Sequence, residues 1–327
     1  MRQVCLGNER CYDIRFYPMI MKGIKKSGLS IASNDRSDPS NLYIFNGLGL
    51  DANTLLYANR ERSNSIFFER NPFYFREEDS PQSFFQLYRV CFNSLCYRAS
   101  YPYCFPTERG RFREMQRLHK LRQPIPWHLN QNGRIYVFLN YNEGFWSRRL
   151  RQEDFTSSYS DADTPWRIAS SKMVDAVLAN STRDIVIKWH PLTNMGREDA
   201  KCILQTYAHH DKVSFSSKDD LFKDIEKDMF CSVCYAGSSC FQLCLLGIPS
   251  IIISDHRCPS WYDHVTHITV DDLAREDTML DSLPDQEECL DFLASQTFSM
   301  NEISNGSFFC KYLAYHRGIV LGKQNGL

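Results

Sequence analysis

DIVIKWHP (184–191) is the stretch whose reading decides the fold. Residues 184–189 read as a short apolar strand rich in β-branched side chains, the kind that is buried on both faces of a parallel sheet. Parallel neighbours must be joined by long crossovers, usually helical, and the flanking sequence supplies them. Upstream, IYVFLN (135–140) reads as a strand and TPWRIASSKMVDAVLAN (164–180) as a helix. Thr164 is its candidate N-cap and Pro165 its first helical residue, with Trp166, Ala169, Met173 and Val177 along one stripe. Downstream come a helix over 197–210, the strand KVSF (212–215), and a helix over 218–229 behind the candidate cap Ser217. The strand MFCSVCY (229–235), the helix SCFQLCLLG (239–247) closed by Gly247, and the strand PSIIIS (249–254) complete the series. Strands alternating with helices across short loops predict an α/β chain with a doubly wound parallel sheet.

The first half is less regular. LYIF (42–45) and SIFFE (65–69) read as strands between polar loops. The spacing of Phe84, Leu87, Cys91 and Leu95 predicts a helix over 81–98, and RGRFREMQRLHKLR (109–122) a basic helix with Phe112, Met115, Leu118 and Leu121 on one face. QPIPWHLNQNGR (123–134) has two prolines and no periodicity, so it reads as a linker. It divides the chain into an acceptor-side α/β domain (1–130) and a nucleotide-sugar-binding α/β domain (131–327), the last helix packing back on the first domain.

Composition narrows the function. A formal net charge of −1 over 327 residues excludes a dedicated nucleic-acid binder or a polybasic membrane anchor. The N-terminal residues lack the apolar core of a secretory signal, and no apolar run is long enough to span a bilayer, so the expectation is a cytoplasmic protein with no transmembrane segment. In that setting the 13 cysteines are reduced thiols, several of them filling the core.

Ligands of a doubly wound sheet bind outside the carboxyl ends of its strands. Two polar clusters fall there: Lys188, His190 and Pro191 after the strand at 184–189, and Gly237, Ser238 and Ser239 after the strand at 229–235. The glycine permits a tight turn, and the serines place hydroxyls beside backbone N–H groups, which suits a phosphate. Taken alone, either serine also reads as a helix cap. His190 is equipped to donate to a phosphate or sugar oxygen or to exchange a proton near neutral pH; taken alone it also reads as a histidine satisfied by local backbone. Lys188 lies two residues earlier, on the same side of the strand, and needs an anion or a carboxylate. The conjunction of both clusters on one sheet edge favours a phosphate site.

These residues resemble a known pattern. IVIKWHP, one helix–strand–helix unit, then a strand followed by GSSCFQLCLLGIPSIII, is similar to the donor half of GT-B glycosyltransferases. The likeness is nearest to bacterial capsule and lipopolysaccharide Kdo transferases and to sialyltransferases with His-Pro and Ser-Ser motifs, which use CMP-linked sugars. The resemblance implies two Rossmann-like domains facing a cleft and transfer of a sugar from a nucleotide-activated donor to a glycan acceptor in surface polysaccharide or glycan synthesis. Lys188, His190, Pro191, Gly237, Ser238, Ser239 and Gln242 would hold the donor, with Gln242 standing where the family often has an acidic residue. His190 would neutralise the departing phosphate. Glu69 in SIFFERNPFYF is the first candidate for the base on the acceptor hydroxyl, and Glu143 in NYNEGFW the second; each also reads as a solvated or ion-paired side chain. The resemblance implies no cofactor and no obligatory metal.

Two other transfer-site readings remain open: a polyol-phosphate transferase using a CDP-linked donor, and a GT-B-like protein that binds without turnover. A zinc site from Cys231, Cys234, Cys240, Cys244 and the pair His264 and His267 is disfavoured, because a strand turns Cys231 and Cys234 to opposite faces. A serine hydrolase is disfavoured because the Gly237-Ser238 turn has no second glycine.

Overall fold

The computed structural model describes residues 3–6, 16–31, 42–46, 64–75, 86–92, 104–140, 164–217, 225–235, 239–253, 265 and 268–324. They form two units. Unit 1 takes the described residues up to Lys120 and from Asp291 onward, and unit 2 those between Leu121 and Leu290. The division departs from a boundary at 130/131 at both ends, for local reasons. The proline-rich stretch is bonded to unit 2: Ile125 N–H donates to the Leu245 carbonyl at 3.0 Å, His128 N–H to Gly247 at 2.9 Å, and Trp127 Nε1 to Pro284 at 2.9 Å. Gly247 has φ 70°, and a Cβ there would stand 2.3 Å from the Pro126 carbonyl oxygen, so only glycine lets the stretch lie so close.

Unit 1 is built on a six-stranded sheet of β1 (Gln3–Leu6), β2 (Ser30–Ile31), β3 (Leu42–Asn46), β4 (Asn64–Arg70), β5 (Leu87–Phe92) and β11 (Thr297–Ser299). The order is β11-β5-β4-β3-β1-β2. β2, β1, β3 and β4 run parallel, β5 is antiparallel to β4, and β11 is antiparallel to β5. Helix α1 (Phe16–Lys26) repeats its buried residues at helical spacing through Phe16, Met19, Ile20, Gly23 and Ile24. They join Ile44, Ile66, Phe68, Val90, Phe298, Phe308 and others in one core. The latter residues come from the sheet and from the C-terminal part of the chain, where α7 (Met300–Ser304) and α8 (Ser307–Gln324) follow β11. A Cβ on Gly23 would lie 2.0 Å from the Ile303 carbonyl oxygen, so α1 and α7 touch backbone to backbone.

Of the helix expected over 81–98, the described residues 87–92 are instead the strand β5, and the remainder, apart from Gln86, lies outside the described residues. Both faces of this strand are buried, so its apolar residues do not alternate with polar ones, and the i, i+3, i+7 spacing of Phe84, Leu87 and Cys91 arises by chance. The basic helix is present as α2 (Arg111–His119), with Phe112 and Met115 buried but Leu118 at 55% exposure. Its N-terminus is held by Asp291, in the middle of α6 (Gln286–Ser295). The Asp291 carboxylate accepts from Gly110 N–H at 2.6 Å and Phe112 N–H at 2.9 Å, satisfying amides that a helix start leaves open. The buried Gln296 side chain pairs with Phe105 as a backbone would, accepting its N–H and donating to its carbonyl, each at 2.7 Å.

Unit 2 holds the sheet expected from the sequence rhythm. Its strands are β6 (Arg134–Phe138), β7 (Ile185–Lys188), β8 (Val213–Ser216), β9 (Met229–Cys234) and β10 (Ser250–Ile252), in the order β10-β9-β6-β7-β8 and all parallel. Helices α3 (Pro165–Asn180), α4 (Glu198–Tyr207) and α5 (Ser239–Leu245) make three of the crossovers. α3 starts where its signals put it: the Thr164 hydroxyl accepts from Arg167 N–H at 3.2 Å and donates to the fully buried Asp199 at 3.0 Å. Most of the helix expected over 218–229 lies outside the described residues, and Glu226–Asp228 is a 3-10 turn. The fold class is therefore α/β in two units, each with its own sheet, in keeping with the GT-B resemblance. Among the described residues no helix is long and apolar enough to cross a membrane.

Candidate functional site

The strand order of unit 2 fixes where a ligand would sit. From β6 the chain moves through β7 to β8 on one side, then returns to place β9 and β10 on the other. The order reverses between β6 and β9, and the crevice outside their carboxyl ends is the topological switch point. Ser239 follows β9 and borders it directly. His190 follows β7, the strand on the other side of β6.

The residues after β7 form a tight turn, with Thr193 N–H donating to the His190 carbonyl at 2.8 Å. Pro191 sits exposed in that turn with its φ preset, and Leu192 is 65% exposed. Leu192 N–H also donates to His190 Nδ1 at 3.1 Å. An imidazole whose Nδ1 accepts carries its proton on Nε2, so this turn fixes the tautomer and makes Nε2 a donor. Burial, followed by the nearby Lys188 charge, pushes the His190 pKa down to about 4, and the ring is neutral at ordinary pH. Of the two roles open to this histidine, the neutral ring with its proton on Nε2 suits hydrogen-bond donation.

Lys188 ends β7 and is buried, with its ammonium donating to the Ser217 carbonyl at 2.9 Å and more weakly to Trp189 at 3.3 Å. Trp189 stacks on Phe215 with ring centroids 5.7 Å apart, which packs the ends of β7 and β8 together. The end of β6 is fixed from both sides. Leu139 N–H donates to the Lys188 carbonyl at 2.9 Å, and Trp166 Nε1 to Asn140 at 2.7 Å. On the far side of the switch point, Ser239 opens α5 with its hydroxyl 3.6 Å from Cys234 Sγ. Gln242 is half-buried in the same helix. Gly237, Ser238 and Glu143 lie outside the described residues.

Glu69 belongs to unit 1 and lies within β4, directly opposite Arg89 in the register. Its Oε2 stands 2.6 Å from Arg89 Nε, off the N–H direction, in an ion pair whose side chains are 13% and 12% exposed. Cys231, Cys234, Cys240, Cys244 and Cys289 are buried and in no disulfide. Among the described residues no group of three or more His, Cys, Asp or Glu side chains is placed to hold a metal ion. One contact escaped the sequence reading: Cys234 Sγ lies 3.6 Å from Ser239 Oγ and 3.9 Å from Ser232 Oγ, although alternation already placed Cys234 on the same side of the strand as Ser232.

No protein-family model matches the chain, and no curated protein matches it in sequence. Among solved structures it is similar to the beta Kdo 2,4 transferase of Thermosulfurimonas dismutans KpsC, at 13% identity and a TM-score of 0.49, over 93% of this chain and 94% of that one. It is also similar to the beta Kdo 2,7 transferase of the same organism's KpsC, at 11% identity and a TM-score of 0.46, over 95% and 100%.

Proposed function

We propose that the protein transfers a sugar from a nucleotide-activated donor to a glycan acceptor, binding the donor phosphate at the carboxyl edge of the five-stranded sheet. The observation that carries this reading is His190: a neutral imidazole, its tautomer set by Leu192 N–H, at a strand end one position from the switch point. A donor held in place before the reaction stabilises charge that grows on the departing phosphate without reorganising. Lys188 adds positive potential from beneath the turn, and the serine loop supplies hydroxyls across the switch point. Deprotonation of the attacking hydroxyl falls to a carboxylate, Glu69 or Glu143. The sugar-transfer class and the CMP-linked, Kdo- or sialic-acid-like donor rest on the motif resemblance. No obligatory metal is part of the proposal.

Titration of the protein with CMP, CDP, UDP and GDP tests the reading. Tight, selective CMP binding that His190→Ala weakens supports it. Selective CDP binding moves the assignment to a polyol-phosphate transferase, and failure of all four nucleotides to bind overturns it.

A further inference from the structure

Thr193 closes the turn after β7, and its side chain breaks a rule that buried polar groups otherwise keep. The residue is 3% exposed, yet its hydroxyl has no hydrogen-bond partner among the described residues. Valine has nearly the same shape and would fill the space without burying a polar atom. A buried hydroxyl left unanswered forfeits its bonds to water and gains none in return, so its presence calls for an explanation.

Its position supplies one. The 2.8 Å bond from Thr193 N–H to the His190 carbonyl joins the first and last residues of a four-residue turn. Such a turn holds its end Cα atoms within about 7 Å of each other, so Thr193 and His190 stand together at the carboxyl edge of the sheet. The next polar side chain along the chain is committed to its own turn: Asn194 Oδ1 accepts from Gly196 N–H at 2.9 Å. Leu192 and Asn194, on either side of Thr193, are both exposed. That leaves the turn little packing with which to resist a small outward shift, the movement an incoming oxygen needs to reach a sealed hydroxyl. With no protein partner holding it, the hydroxyl has its proton to give.

We infer that Thr193 is a ligand-binding residue of the donor site, its hydroxyl donating to an oxygen of the donor phosphate beside His190. The inference rests on the phosphate site proposed above and adds to it a side chain carried at a cost to the stability of the fold. Only hydrogen bonds change.

The test reads stability and affinity together, with the full chain and CMP as probe. Thr193→Val is expected to unfold, without CMP, at a urea midpoint equal to or above that of the wild type, because it removes an unanswered polar atom. The same variant binds CMP about tenfold more weakly, the loss of one hydrogen bond to a charged oxygen. Thr193→Ser, which keeps the hydroxyl, binds CMP within about twofold of the wild type. A lower urea midpoint for Thr193→Val overturns the inference, since the hydroxyl then has a partner inside the fold. So does wild-type CMP affinity in Thr193→Val, or an equal loss in Thr193→Ser; if His190→Ala still weakens CMP binding in either case, the proposed function stands. If the wild type binds none of the four nucleotides, the proposed function falls and takes this inference with it.

Discussion

In the five-stranded sheet, Lys188 is the last residue of its strand and His190 follows in the turn, whereas in the six-stranded sheet Glu69 lies inside its strand, facing Arg89 on the next. All five strands of the first sheet end at one edge, so a polar residue at any strand end meets polar residues from the others. In the second sheet β5 runs against β4, and charges placed mid-strand meet across the ladder instead. A charged side chain in an apolar run therefore carries different information in the two sheets. At a parallel carboxyl edge it points to a ligand, and inside an antiparallel pair it points to the neighbouring strand.

The largest expected effect tests the first half of that contrast. His190→Ala lowers turnover by at least about two orders of magnitude, the cost of losing one preorganised donor, while circular dichroism and the melting curve stay those of the wild type. Wild-type turnover in this variant would erase the distinction between the two sheets. The second effect tests the other half. Glu69→Ala takes the anionic partner from a buried guanidinium and lowers unfolding free energy by about 3 kcal/mol in urea titrations, while Glu69→Met with Arg89→Met restores most of it. Turnover per folded molecule of Glu69→Gln then sharpens the comparison: a loss of about 100-fold makes this carboxylate the acceptor base as well as a strand tie.

A third, smaller effect follows from the depressed pKa of His190. Between its ordinary value of 6.5 and its folded value of about 4, the unfolded chain binds the proton and the folded chain does not. The stability contributed by the neutral ring is complete above the ordinary value and is lost as pH falls through the folded one. Urea midpoints at about pH 7 and about pH 4.5 should differ less for His190→Gln than for the wild type. Smallest is Thr164→Ala, which removes the α3 cap and a bond to buried Asp199, at about 1–2 kcal/mol by thermal or urea unfolding, with CMP affinity unchanged.

Unit 2 was legible in the sequence because its signals are local. Thr164 and Pro165 announce α3, Gly247 closes the turn after α5, and the β-branched runs of β7 and β10 are bounded by turns. The residues of the proposed phosphate site were singled out for the same reason, by their distance from a strand end. What stayed hidden depends on partners far along the chain. β5 looked helical because burial on both faces erases alternation. The pairing of Glu69 with Arg89 needs the antiparallel register of β4 and β5. The tautomer of His190 depends on the turn geometry at Leu192, and the burial that depresses its pKa depends on packing, neither of which composition reveals.

The strand β11 has a consequence for how the protein is made. It pairs with β5 across about two hundred residues of sequence, and Phe298, Phe308 and Phe309 supply part of the core that α1 and β4 begin. During synthesis, the first unit to be translated cannot finish its core until residues near 312 have left the ribosome. Unit 2 lies between the two halves and has all its strands available earlier, so it is the natural first body to fold.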